Sequence, residues 1–287
     1  MTTMTARRRV VRFVGGAGGT ATPRPDTLVT EEPLEMRVNG TPLAVTMRTP
    51  GHDFELVTGF LVAEGVIAHP SEIRAIRHCA DLTAAPGEIP VAGLIAENIV
   101  DVTLAPGVDV PEETMTRHTV TTSACGLCGK TSLDAVRATT RFDVAADPVA
   151  LDPEVVLALP GRLRSAQRVF DRTGGLHAAG LFTAEGERIR VREDVGRHNA
   201  VDKLLGWAVQ HDLLPLAGRV LVVSGRASFE LVQKAVMAGI PAMAAVSAPS
   251  TLAAELAEES GLTLAGFVRG DSMNVYTGAH RMGMTVA

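Results

Sequence analysis

Three short apolar runs in the second half of the chain constrain its fold more than any other feature: residues 220–223 (VLVV), 242–246 (AMAAV) and 262–267 (LTLAGF). A strand with one wet face alternates apolar and polar residues, whereas a strand that is apolar almost throughout is buried on both faces. Stretches of helical length, 224–239 and 252–260, separate the runs. Strands buried on both faces and alternating with helices specify an α/β layered sheet. The same alternation extends upstream, with a predicted helix over 153–169, strands over 178–183 and 188–192 around Glu185-Gly186, and a helix over 199–211. An α/β domain is therefore expected over 140–287.

The first half reads differently. Leu34, Met36 and Val38 alternate on one side of Asn39-Gly40, and Leu43, Val45 and Met47 on the other. Two alternating runs about Asn-Gly predict a β-hairpin. Pro50-Gly51 ends it, and a helix follows over 53–64, with Asp53 as its cap and Phe54, Val57 and Leu61 as its apolar face. Two or three strands are expected over 71–104. The predicted organisation is a disordered tail (1–25), a smaller N-terminal α+β region (26–118), a mobile loop (119–139) and the α/β domain. The tail is assigned from its Gly, Thr and Arg content without periodicity. The loop is assigned from TVTTSACGLCGK, which is small, polar and glycine-rich.

Composition excludes several classes. No run of 18 uncharged apolar residues exists, so no membrane helix is expected. Arg7, Arg8 and Arg9 are not followed by the apolar core of a signal peptide. The net charge of −5 argues against a nucleic-acid partner, which would favour a basic domain. Cys79, Cys125 and Cys128 are an odd set in a chain without a secretory signal, so a disulfide framework is not expected and a reducing, cytoplasmic setting is.

Chemistry concentrates in four places. Cys125-Gly126-Leu127-Cys128 is followed by Gly129 and Lys130. A thiol is nucleophilic only as thiolate, which a neighbouring cation favours, and glycines let a partner approach the backbone closely. A zinc site is one alternative, needing two more ligands that His78, Cys79 and His118 offer without a second C-x-x-C. A thioredoxin-type pair is another, although its strand–helix setting is only half present. The second place is the strand-to-helix turn holding Arg192, Arg197 and His198; the third is Ser224-Gly225-Arg226; the fourth is Phe267-Val268-Arg269-Gly270-Asp271-Ser272 after the last predicted strand. Turns at the carboxyl ends of strands in an open α/β sheet form ligand sites. Arginine presents a planar fork that matches phosphate, so these turns predict an anion site. None is a Walker motif, which argues against ordinary ATP or GTP hydrolysis.

Together these residues resemble the formate dehydrogenase accessory sulfurtransferase family, FdhD. The resemblance rests on Glu31-Glu32-Pro33-Leu34, Thr49-Pro50-Gly51-His52-Asp53, Ser123 through Lys130, Thr173-Gly174-Gly175-Leu176-His177-Ala178-Ala179, and the runs 192–203, 224–234 and 267–272. It implies a sulfurtransferase that takes persulfide sulfur from a cysteine desulfurase and passes it to the molybdenum bis(molybdopterin guanine dinucleotide) cofactor destined for formate dehydrogenase. That cofactor would be a bound substrate, and no permanent cofactor or metal is expected. Carried over, Cys125 is the persulfide residue with Cys128 assisting, and the segment from Phe267 to Ser272 binds the cofactor. The resemblance also implies a homodimer and a cytidine-deaminase-like C-terminal domain, although the deaminase zinc signature is missing. Phosphate chemistry then assigns Arg192, Arg197, Arg226 and Arg269 to the pyrophosphates, with Asp271 accepting guanine N–H groups. A cofactor chaperone without sulfur chemistry and a zinc-stabilised adaptor remain alternatives.

Overall fold

A computed structural model describes residues 3–16, 18–79, 96–111 and 140–284 of the 287-residue chain. Strands β1 (Thr5–Val14) and β2 (Thr20–Val29) form a two-stranded antiparallel ribbon. Strands β3 (Glu32–Val38), β4 (Thr41–Arg48), β5 (Ile73–His78) and β6 (Ile99–Leu104) form a second sheet in the order β4-β3-β6-β5. Asn39 and Gly40 both take positive φ, 50° and 80°, as the predicted hairpin turn requires. Helix α1 (Asp53–Ala63) follows.

The third sheet is mixed and six-stranded. Strands β7 (His177–Thr183), β8 (Arg188–Asp194), β9 (Arg219–Val223), β10 (Ala242–Ala245), β11 (Thr263–Arg269) and β12 (Ser272–Thr277) take the order β12-β11-β10-β9-β7-β8. β9, β10 and β11 are adjacent and parallel, as their apolar runs predict. Helices α2 (Pro153–Arg164), α3 (Phe170–Thr173), α4 (Arg197–Gln210), α5 (Phe229–Met237) and α6 (Thr251–Glu259) are the other α-helices among the described residues.

Alternate residues of the parallel strands enter two cores. Val220, Val222, Ala242, Ala244 and Ala265 pack with Val156, Leu159 and Leu163 of α2. Leu221, Val223, Met243, Ala245 and Leu264 face the other way, into a cluster shared with α4 and α5. That cluster continues through Leu56, Val57 and Leu61 of α1 to Leu34, Met36, Val100 and Val102, so both larger sheets share one core. Among the described residues, no helix is long and apolar enough to cross a membrane.

Helices α1 and α4 cross through Gly59 and Gly206. A Cβ built at Gly59 would overlap the carbonyl of Asp202, and one at Gly206 the carbonyl of Glu55. Backbone on both sides leaves nothing able to move aside. Gly59→Ala should therefore cost about 3 kcal/mol through overpacking. The expected fall in Tm is roughly 10 °C. Thermal unfolding followed by circular dichroism checks this, and a variant melting within two degrees or so of the parent would refute the close crossing.

Four sequence expectations need correction. The 1–25 tail is not patternless: Val10, Val11, Val14, Thr20, Thr22 and Val29 are β-branched, and ten residue pairs close around the glycine-rich turn. Its base is tied by Thr30 N donating to Met4 O at 2.9 Å. Asp53 does not cap α1; it accepts two hydrogen bonds from Arg48 at 3.0 Å, and His52 takes the cap position at φ 60°. The helix predicted over 153–169 stops at Arg164 and resumes as α3. Finally, Phe267 through Ser272 does not follow the last strand. It is the end of β11, a turn at Gly270-Asp271 and the start of β12.

Candidate functional site: one edge of the mixed sheet

Parallel pairing puts the carboxyl ends of β9, β10 and β11 on one edge. β7 runs against β9, and β8 against β7, so that edge also holds the start of β7 and the end of β8. Residues far apart in sequence meet there: His177, the run 194–198, Ser224-Gly225-Arg226, the run 246–250 and Phe267 to Gly270. Backbone bonds knit these turns together. Ser224 N donates to Ala178 O at 3.0 Å, and Ala178 N to Ser224 Oγ at 2.9 Å. Ser247 N donates to Gly225 O at 3.3 Å, and Phe267 N to Ser247 O at 3.2 Å. The fold thus brings three of the four predicted arginine positions to one edge.

Each turn has a local cause. Phe267 sits at φ 52° within a bulge between Gly266 and Arg269. The left-handed region costs a bulky residue on the order of 1–3 kcal/mol. A bulge redirects the side chains after it. Arg269 is exposed, with its guanidinium 5.7 Å from the Phe267 ring centre. Gly266 admits the neighbouring turn: a Cβ there would lie 2.9 Å from Pro249 Cδ. Arg226 is exposed on an extended stretch, because α5 begins only at Phe229. The expected helix start directly after Ser224 is therefore displaced, and the β9 turn offers side chains rather than a helix N-terminus. Val268 is fully buried and supports the edge from below.

Arg197 is the first residue of α4, half-buried, and its Nε has no hydrogen-bond partner among the described residues. His198 Nε2 lies 2.7 Å from Glu230 Oε2 and 3.2 Å from Ser228 Oγ. His177, missed in the sequence, is half-buried, and a Cβ at Gly225 would lie 3.5 Å from its Nδ1. Burial lowers its pKa, the charges of Arg197 and His198 lower it further, and Asp194 opposes them. The shift favours the neutral ring, beside an Arg197 guanidinium whose Nε has no hydrogen-bond partner among the described residues.

Arg192 leaves the predicted set. Its Nε and Nη2 meet Glu55 at 2.5 and 2.6 Å, tying β8 to α1. Burial raises the Glu55 pKa, but hydrogen bonds and charge from Arg192 and His52 outweigh it and hold the carboxyl at about 2. The pair is a permanent brace, and its guanidinium is already occupied.

A second arrangement the sequence did not disclose positions the edge. Asp194 and Lys203, each 0% exposed, meet at 2.6 Å. Asp194 also accepts from Gly196 N at 2.8 Å, Thr49 N at 3.1 Å and Asn199 Nδ2 at 3.1 Å. Lys203 Nζ donates to Thr49 O at 2.8 Å. This lock fixes the start of α4, and with it Arg197 and His198, to the end of β4. The only hint in the sequence was that Thr49 and the run 192–203 both lie in segments carrying the resemblance. A shallow depression of about 470 Å³ lined by Asp147, Pro148, Ala184, Gly218 and Arg219 lies at the opposite edge of the sheet, away from these groups.

Cys125 and Cys128, and the mobility expected of their loop, lie outside the described residues. The chain before and after that segment meets at Glu72. Ala105 N donates to Glu72 O at 2.8 Å, and Arg141 Nη1 to Glu72 Oε1 at 2.5 Å. From there residues 142–147 run beneath Gly239, Gly261 and Gly218, which precede β10, β11 and β9. The segment therefore rejoins the domain at the edge opposite the arginines.

Residues 29–283 match the model of the FdhD/NarQ family. The chain is 61% identical over 285 residues to a protein of Streptomyces avermitilis named sulfur carrier protein FdhD, covering 99% of this chain and 98% of that one. A Streptomyces coelicolor protein of the same name matches equally, and one from Mycolicibacterium paratuberculosis is 58% identical over 280 residues, covering 98% of this chain and 99% of its own. Among solved structures, a candidate formate dehydrogenase accessory protein from Desulfotalea psychrophila superposes with a TM-score of 0.71 at 23% identity, over 97% of this chain and 99% of that one. That likeness supports the mixed α/β fold.

Proposed function

Because the chain belongs to the FdhD/NarQ family, we propose that it is a sulfur carrier acting in the maturation of formate dehydrogenase. Cys125 takes the outer sulfur of a cysteine desulfurase persulfide, with Cys128 assisting. The sulfur passes to the molybdenum bis(molybdopterin guanine dinucleotide) cofactor, bound as substrate at the arginine edge. The relatives' name supports the carrier role. The observation that carries the substrate class is the convergence of Arg197, Arg226 and Arg269 with Ser224, Gly225 and a neutral His177 on one edge. Two pyrophosphates need several cations on one surface, and forked guanidinium donors match their oxygens. Asp271, exposed at the β11–β12 turn, stands where it can accept from a guanine. The cytidine-deaminase-like layering is supported by a mixed sheet with helices on both faces.

The chemistry follows thiol–disulfide exchange. The Cys125 thiolate attacks the outer sulfur of the donor persulfide, that S–S bond breaks, and the donor cysteine leaves as thiolate. Cys125 then carries S–SH; on delivery that S–S bond breaks, the acceptor supplies the electron pair that binds the outer sulfur, and Cys125 leaves as thiolate. Covalent reach permits delivery: about fifteen residues separate Cys125 from Thr140, a span of up to roughly 50 Å when extended, whereas a strand such as β9 is only about 17 Å long.

GDP is a convenient probe of the cofactor's nucleotide end. A hydrogen bond to a charged group contributes about 1.5–3 kcal/mol, so Arg226→Ala and Arg269→Ala should each weaken GDP binding by roughly tenfold to a hundredfold in calorimetric titration. Unchanged affinity in both variants, with the fold intact, would place the anion site elsewhere.

A further inference from the structure

We propose that the β1–β2 ribbon is a docking arm that grips the body of a second copy of this chain. Antiparallel strands of this length alone are marginal in water without a covered face. This ribbon extends about 34 Å, and its outer half is bare. Val11 is 68% exposed and Phe13 69%. Cross-strand register puts Val11 opposite Pro23 and Phe13 opposite Ala21, all on one face. The other face carries Arg8 opposite Asp26, Val10 opposite Arg24, Arg12 opposite Thr22 and Val14 opposite Thr20. The tip of the first face, Val11 and Phe13 with Pro23 and Ala21, is therefore an apolar patch turned to solvent, bordered by Arg9.

Its edges differ too. Pro23 and Pro25 have no N–H, so they occupy the non-hydrogen-bonded pairs with Val11 and Arg9. On β2 they close the outer edge to further pairing. On β1 the N–H and C=O of Arg9 and Val11 point outward, which leaves that edge open to a strand. One open edge and one apolar face make the ribbon a one-sided gripping surface.

Charge selects the occupant. Residues 3–29 carry five arginines against one aspartate, a net of +4, in a chain of net −5, which leaves −9 on the rest. Two ribbons would repel each other, whereas a ribbon and the body of another copy attract. Reciprocal exchange of two such arms closes a twofold dimer. This gives a contact for the homodimer that the resemblance implies and is independent of the sulfur-carrier reading.

The test is light scattering coupled to size exclusion on the full chain at micromolar concentration. The parent should be a dimer, and Val11→Asp/Phe13→Asp should raise its dissociation constant at least tenfold. Arg8→Glu/Arg12→Glu, which alters charge on the opposite face and leaves Val11 and Phe13 in place, should do the same. Side chains at these positions are outside both cores, so the melting temperature should hold, and GDP binding measured on the same samples reports separately on the anion site. A monomeric parent, or variants that dimerise as tightly as the parent, overturns the proposal. Sedimentation of a monomeric parent with phosphatidylglycerol vesicles, lost in the first variant, also overturns it and assigns the face to a lipid surface.

Discussion

Replacing Cys125 by alanine is expected to abolish both persulfide formation and formate dehydrogenase maturation while leaving GDP binding within about twofold of the parent. Sulfur transfer needs a thiolate nucleophile, and alanine supplies none. Nucleotide binding is here assigned, as proposed above, to Arg197, Arg226 and Arg269, at the edge of the mixed sheet and far in sequence from the cysteine segment. The segment also rejoins the domain at the opposite edge, beside Gly239 and Gly261, so its loss of a thiol should not disturb the arginines. Cys128→Ala should do less harm if Cys128 only resolves, and equal harm if sulfur passes through both. Cys79, half-buried directly after β5, should tolerate alanine, since free-standing chemistry is assigned to the other pair. Mass spectrometry after incubation with a desulfurase and cysteine reads the persulfide, and complementation of a deletion strain reads maturation. A Cys125→Ala chain that still restores formate dehydrogenase would replace the sulfur reading with that of a cofactor chaperone.

The parts of this fold that were legible are those in which a local pattern has one structural meaning. Residues 220–223 are apolar throughout and too short for a helix before Ser224-Gly225, which suits a strand covered on both faces. Asn39-Gly40 between alternating residues has one economical solution, and the structure adopts it. Patterns whose meaning depends on distant partners were not legible. The arginines of the 1–25 segment look like a solvated tail until ten residues pair across a glycine turn. Arg192 and Arg197 are alike in sequence, five residues apart on one turn. Only the placement of Glu55 on α1 decides that the first is a brace, leaving the second for a ligand. His177 carried no local signal, because its neutrality comes from burial and from charges on α4. Deviations from a predicted cap tell the same story: Asp53 is a good N-cap by type, yet Arg48 claims both its oxygens.

Asp194→Ala should be the most destabilising single change in the domain, and its cost should exceed that of Lys203→Met. Both residues are 0% exposed, and breaking a buried pair from one side leaves the other charge without compensation. The two sides are not equal. With Lys203 gone, the Asp194 carboxylate keeps three donors, from Thr49, Gly196 and Asn199. With Asp194 gone, the buried ammonium keeps only the Thr49 carbonyl among the described residues, and Thr49 N and Gly196 N lose their acceptor. A cost of about 3–5 kcal/mol is expected for Asp194→Ala, and less for Lys203→Met. In the double variant the orphaned ammonium is absent, so its cost should fall below the sum of the single costs, with a coupling energy of roughly 1–3 kcal/mol. Denaturant titration of all three chains measures this. Because the lock also anchors the start of α4, Asp194→Ala should displace Arg197 and His198 and weaken GDP binding even at temperatures where the chain remains folded. Additive costs, or a Lys203→Met chain less stable than Asp194→Ala, would mean that the hydrogen bonds around the carboxylate do not carry the pair, and that the edge is positioned by packing of α1 on α4 instead.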